Sequence, residues 1–336
     1  MKKQTYIAII IVVLIIGGLA YWYLRPKPQI NVPPNMTRVT VNQAFEHPLY
    51  IALYVAKDAG FFEKQGLDVT IDTGGGDAQA FSALSSGSAQ FAQGDPAFVA
   101  IANEKGWDGR VITMAVDRVA IWGVTYDNSI QPFTDPSGFK GKTVTTYPEP
   151  NTSYVVQKQL ASKAGLTIGK DVKILQVPFG TELAALQSKR ADIAQTIEPN
   201  VSQVESQGGK VVFSYPDAYG PLAFTGVMTS KKLIDEHPET VQKFVIAYEQ
   251  AFQYIQNDFE GTVKIAQNRL KNIPPEIIRA ALKRLIESSS IPKHAKVDPE
   301  SWRKLLQIRV DVGDLKQMPT IELIDNNFAS KATQVK

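Results

Sequence analysis

Several short stretches of the chain carry residue types that hold small molecules by non-covalent chemistry. The run Gly74-Gly75-Gly76-Asp77 lies between a candidate strand and a candidate helix. Consecutive glycines let the backbone turn tightly and present N–H groups at a helix start, so the run either seats an acceptor group or only makes the turn. A dinucleotide fingerprint would need glycine at position 79, where Gln79 stands, although Asp95 follows at about the spacing of a ribose-binding acid. In Gly94-Asp95-Pro96 the carboxylate of Asp95 can cap the next helix or pair with an amino group of a ligand. Phe45, Glu46 and His47 end the first candidate strand, and His47 suits a ligand contact or a local hydrogen bond. Trp122, Tyr126 and Tyr147 can stack on a flat ring or belong to the core. Asn151-Thr152 at a helix start and Glu198-Pro199 after a later strand offer donors and acceptors, or caps.

Catalysis has little to stand on. The chain holds no Gly-x-Ser-x-Gly elbow, no His-Glu-x-x-His pair and no P-loop. It has no cysteine, which removes disulfides, thiolate catalysis, thiolate metal sites and a lipid-carrying cysteine together. Three scattered histidines do not make a zinc site, and no cofactor is expected. The 36 basic and 33 acidic residues leave a net charge of +3, mixed along the chain. No basic stripe with interleaved aromatics points to nucleic acid.

The elements that position these residues follow from periodicity. Arg38 to Gln43 alternates as a strand, Leu49 to Gln65 has helical spacing with Gly66 as its stop, and Leu67 to Asp72 is a second strand. Ala78–Ser86 and Ala97–Glu104 read as helices, with a short strand at 90–92 between them. Val111 to Thr125 suits buried strands, and the strand–helix alternation predicts a mostly parallel sheet covered on both faces. The pattern restarts at Gly141, with strands over 141–146, 172–177, 192–196 and 210–214 and helices over 153–164 and 181–189. Beyond Met228 four helices are expected, over 238–257, 259–270, 275–288 and 300–312.

Ahead of all this, Lys2 and Lys3 precede an uncharged run from Tyr6 to Leu24, followed by Arg25-Pro26-Lys27. Its length just crosses a hydrocarbon core of about 30 Å, and Tyr21, Trp22 and Tyr23 suit the membrane interface. A retained anchor is expected; Gly18-Leu19-Ala20 leaves a cleaved signal peptide as the alternative. Either places the remaining chain outside the cytoplasm. Arg25 to Asn35, with four prolines, reads as a stiff tether.

From His47-Pro48-Leu49-Tyr50-Ile51-Ala52 through Ala59-Gly60-Phe61-Phe62-Glu63-Lys64-Gln65-Gly66-Leu67 the sequence resembles the solute-binding proteins for thiamine precursors, sulfonates, nitrate and related solutes. The resemblance continues through Ala83-Leu84-Ser85-Ser86-Gly87 and Phe91, and again through Glu182 to Ile193 and Glu198-Pro199. It covers roughly Arg38 to Gln250. It implies an α/β, two-lobed periplasmic-binding-protein type II fold, a Venus flytrap with two hinge crossovers, preceded by the N-terminal transmembrane or signal helix. On that template residues 1–37 are anchor and tether, 38–126 the first part of lobe 1, 127–222 lobe 2, and 223–336 the helical remainder of lobe 1. Residues at strand ends then point into the cleft, which makes Phe45, His47, Gly75, Gly76, Asp77, Asp95, Trp122, Tyr147, Asn151, Thr152 and Glu198 the expected ligand contacts. The implied protein is a non-catalytic, monomeric receptor that delivers its solute to an ABC permease and ATPase. Pyrimidine-making enzymes share the fold but are expected to use cysteine and several histidines. Among ligands, the strand-end acids Glu46, Asp77, Asp95, Glu149 and Glu198, against only His47 and Arg118, favour a neutral or cationic heterocycle of the thiamine-pyrimidine type over an anion.

Overall fold

A computed structural model describes residues 36–334. The expected anchor at residues 6–24 and its tether lie outside the described residues. No helix among those described is long and apolar enough to cross a membrane. Among the described residues ten strands occur in chain order: β1 Thr37–Gln43, β2 Leu67–Thr73, β3 Phe91–Gly94, β4 Gly109–Arg118, β5 Trp122–Thr125, β6 Thr143–Thr146, β7 Lys173–Gln176, β8 Ala194–Thr196, β9 Lys210–Ser214 and β10 Pro221–Ser230.

One lobe is built on a five-stranded sheet of order β2-β1-β3-β10-β4. In β1 the alternation noted in the sequence places Val39 and Val41 in the core, at 2% and 0% exposure. The sheet is mostly parallel, as the strand–helix alternation predicts: β2, β1, β3 and β4 point the same way and β10 alone is reversed. β1 runs parallel to β2 and β3, whereas β10 returns antiparallel to both β3 and β4. The periodicity of a buried strand does not encode its direction, so the reversal of β10 lay beyond the sequence pattern.

The second lobe holds the antiparallel sheet β8-β5-β9 and the parallel pair β6-β7. The two are tied where the Thr145 N–H donates to the Ile193 carbonyl at 3.0 Å. β4 leads into β5, and the return runs from β9 through the short helix Tyr215–Tyr219 into β10. The chain thus crosses between lobes at Arg118–Trp122 and again just before Pro221.

The expected helix over 49–65 is broken into a 3-10 turn Pro48–Tyr50 and the helices Ile51–Asp58 and Phe61–Lys64. Gly60 makes the break at φ +75°, a left-handed conformation open to glycine. The four helices expected beyond Met228 form as Pro238–Asn257, Phe259–Arg269, Pro275–Glu287 and Pro299–Val312, and a short helix Asn327–Ala332 follows them. Of the four, Pro299–Val312 packs on β10 of its own lobe and also on the Thr152–Lys163 helix of the second lobe. Lys158 Nζ there donates to the Val312 carbonyl at 3.1 Å, and Gln159 Nε2 to Asp311 Oδ2 at 3.2 Å.

Candidate functional site

The ends of β1, β2 and β3 converge on the interlobe cleft. Gly74 and Gly75 donate their N–H groups to the carbonyls of Gln43 and Ala44, which folds the glycine run against the end of β1. This delivers Asp77 to the start of the Asp77–Ser85 helix. Gly94 is required next to it: a Cβ there would lie 2.6 Å from Asp77 Oδ1. Through that gap Asp77 Oδ1 accepts the Asp95 N–H at 2.9 Å, and its Oδ2 accepts from Asn151 Nδ2 of the opposite lobe at 2.8 Å.

Asp95 is the center of a larger network. Its Oδ1 accepts the Ala97 N–H at 3.0 Å, which is a helix cap. Its Oδ2 accepts the Thr152 N–H at 3.1 Å, the Thr152 hydroxyl at 2.6 Å and Arg309 Nη2 at 2.6 Å. The capping and cleft-facing readings of Asp95 therefore coexist, one on each oxygen. Arg309, from the Pro299–Val312 helix, is fully buried and donates as well to Asp314 Oδ2 at 2.7 Å and to the Pro150 carbonyl. Burial, then the negative charge of Asp95, pushes the Asp77 carboxyl up to about 7; the Asp95 N–H, Arg309 and Asn151 pull the other way.

Aromatic rings from both lobes close over these acids. Phe45 and Phe179 stack across the cleft with centroids 3.7 Å apart and planes at 15°. Tyr147 leans on Phe179 at 5.2 Å and donates its hydroxyl to Glu182 Oε1 at 3.0 Å. Thr196 and Asn200 donate to the same oxygen at 2.8 and 2.7 Å, while Glu182 Oε2 is buried without a partner. The space left between the lobes is a cavity of about 40 Å³. Phe45, Asp77, Asp95, Tyr147, Asn151 and Thr152 line it, together with Tyr50, Phe179, Phe224 and Thr225 and with no lysine or arginine among the described lining residues.

The remaining expected contacts sit elsewhere. His47 is buried beside Phe179, and its Nδ1 accepts the Leu49 N–H at 3.2 Å; burial lowers its pKa to about 3, so the ring is neutral. Gly75 and Gly76 shape the turn and do not line the cavity. Gly75 has φ +86°, which explains glycine there. Trp122 and Glu198 differ from expectation most plainly. Trp122 is 3% exposed in β5, with the Arg284 guanidinium 5.8 Å above its ring. Glu198 accepts from the Ser202 N–H and hydroxyl at 3.0 and 2.9 Å and from Arg284 Nε at 2.6 Å. Both belong to a bridge from the Pro275–Glu287 helix to the second lobe, away from the cavity.

Arg309, Phe179 and Glu182 were not singled out from the sequence. A signal for Arg309 existed: Trp302, Leu305, Leu306 and Arg309 fall at i, i+3, i+4 and i+7, which places a cation on an apolar stripe. Phe179 lies in a loop where no periodicity speaks. Among the described residues, no group of three or more metal-ligating side chains is present.

Comparison with known proteins adds a second line of observation. The chain is 25% identical over 306 residues to YtlA of Bacillus subtilis (strain 168), whose name proposes a binding protein, covering 90% of this chain and 91% of that one. Its fold matches the ligand-binding component of an ABC-type import system from Staphylococcus aureus, solved with zinc bound, at TM-score 0.73 and 13% identity, covering 88% of this chain and 99% of the other. The periplasmic aliphatic sulphonate binding protein SsuA from Escherichia coli matches at TM-score 0.70 and 15% identity, covering 87% and 99%. These likenesses establish the α/β periplasmic-binding-protein fold. The sequence pattern of one family spans residues 47–261, which takes in the glycine turn, both cleft acids and the Phe45-adjacent helix start. By that match the chain belongs to the family described as NMT1/THI5 like.

Proposed function

We propose that this chain is the extracytoplasmic solute-binding subunit of an ABC importer, closing its two lobes on a flat, neutral or cationic heterocycle and handing it to a membrane permease. A thiamine-type aminopyrimidine fits best. Lobe limits at 38–126 with 223–336, and 127–222, membrane attachment through residues 6–24, and binding without turnover are parts of the same reading.

The observation that carries it is the composition of the cleft: aromatic rings contributed from both lobes over two carboxylates, Asp77 and Asp95, with the guanidinium beside them, that of Arg309, already spent on Asp95 and Asp314. A permanent anion would meet uncompensated negative charge here. Amino and ring N–H groups would instead find acceptors, and the ring faces would find Phe45, Phe179 and Tyr147. The cavity of about 40 Å³ is close to the volume of one water, roughly 30 Å³ in the liquid. Ligand entry therefore requires the lobes to part. Seating a ring between Phe45 and Phe179 needs two carbon contacts of about 3.5–4 Å each, which roughly doubles their present separation.

Titration calorimetry with hydroxymethyl-aminopyrimidine, taurine and nitrate tests the reading. Saturable binding of the pyrimidine, with the compound recovered intact, is expected. Tight binding of taurine or nitrate with none of the pyrimidine overturns the ligand class and leaves the receptor role standing.

A further inference from the structure

A second cavity, of about 500 Å³, lies where the two interlobe crossings meet the C-terminal helices. Its volume falls within the range of about 300–1,000 Å³ usual for small-molecule sites. Ile255, Ile286 and Ile291 form an apolar wall. Around it stand the cations Arg118, Lys293 and Lys296 and the carboxylate of Asp117.

The charges here are largely unspent. Arg118, Lys293 and Lys296 take part in none of the ion pairs formed among the described residues. Arg118 uses one nitrogen on the Pro216 carbonyl, at 3.4 Å. Asp117 lines the cavity, and its buried Oδ1 accepts no hydrogen bond within the protein. The other two titratable groups on the lining are engaged. Asp298 accepts from the Ser301 N–H at 2.9 Å and hydroxyl at 2.6 Å, and His294 Nδ1 lies 2.8 Å from Glu249 Oε1.

We propose that this cavity is a second ligand site, for a small zwitterion with an apolar body, such as a free aliphatic amino acid, its ammonium toward Asp117, its carboxylate toward Arg118 and the two lysines, and its side chain on the isoleucine wall. An anion alone would face the Asp117 carboxylate, and an amine alone would face three cations. The zwitterion satisfies both, and the wall covers its hydrocarbon. The site is independent of the cleft and of whatever the cleft binds. It also touches both crossings, because Arg118 ends β4 and pairs with Pro221, the first residue of β10. A ligand held there biases the lobe angle to the extent that it binds the two arrangements unequally.

Titration calorimetry of the full-length protein with leucine, 4-methylpentanoate and isoamylamine separates the contributions without altering the protein. Leucine is expected to bind saturably, and each analogue about tenfold or more weaker, the scale of one charged hydrogen bond. Asp117→Asn should bring leucine down to the level of 4-methylpentanoate, and Lys296→Gln should weaken leucine while strengthening isoamylamine, which then faces one cation fewer. The cleft variant Phe45→Ala should leave leucine binding intact. No binding of leucine at 10 mM, equal binding of isoamylamine, or loss of leucine binding in Phe45→Ala with retention in Asp117→Asn each overturns the assignment.

Discussion

Replacing Arg309 by methionine tests how the cleft is held. The guanidinium is fully buried and is the shared partner of Asp95 Oδ2, Thr152 Oγ1 and Asp314 Oδ2, at 2.6, 2.5 and 2.7 Å. Methionine keeps most of the volume and removes the charge, leaving Asp95, itself 5% exposed, without a cation. Breaking a buried pair by deleting one partner costs about 3–5 kcal/mol. Asp95 keeps the Ala97 N–H and both Thr152 donors, so the lower end, about 3 kcal/mol, is expected at pH 8. The loss should shrink in acid. Arg309 is one of the groups holding the Asp77 carboxyl down, and even with it present that carboxyl sits near 7, above its ordinary value. Without the guanidinium it rises further, so the folded protein keeps a proton that the unfolded chain releases. Such a group adds stability below the unfolded pKa near 4, and that stability drains as pH climbs through the folded value. Urea unfolding of wild type and Arg309→Met at pH 5.5 and 8 measures both effects. A loss under about 1 kcal/mol at pH 8, or an equal loss at the two values, refutes the view of Arg309 as the counter-ion of the cleft acids.

The polar latch between the lobes gives a second prediction. Combined Asn151→Ala and Thr152→Val removes the side-chain donors to Asp77 and Asp95, so the ligand-free protein should show a larger radius of gyration in solution scattering, and an unchanged profile would mean that these contacts do not hold it closed. A third concerns Asp77, whose carboxyl near 7 faces Asp95 and Arg309. If its ionised form accepts from the aminopyrimidine, calorimetric affinity should fall between pH 8 and 6, and Asp77→Asn should be weak at both and flat between them.

Much of the site was legible because it depends on local order. A strand that ends in glycine or proline before a helix must release its next side chain at the sheet edge, and Phe45, Asp77 and Asp95 follow that rule. Thr152 and Asn151 are legible for the same reason, as the first residues of a helix. Trp122 and Glu198 stand away from the cavity because β5 and β8 lie in an antiparallel sheet, where a strand end need not face the cleft. Arg309 meets Asp95 at a sequence separation of 214, and only its place on an apolar helical stripe hinted at burial. What it would pair with is a property of packing between distant segments, which periodicity does not carry.

On the proposed reading, the stacked Phe45 and Phe179 rings mean that the cleft already contains a competitor for its solute. Each ring occupies the surface that a flat solute would cover, so an incoming molecule displaces a contact of its own kind rather than filling a vacancy. Measured affinity is then the intrinsic affinity multiplied by the fraction of molecules whose rings stand apart. If that fraction is about 1%, binding weakens roughly a hundredfold. In exchange, a solute with no aromatic face has nothing to offer in place of the contact it breaks, and selectivity for flat molecules is set before any polar group is read.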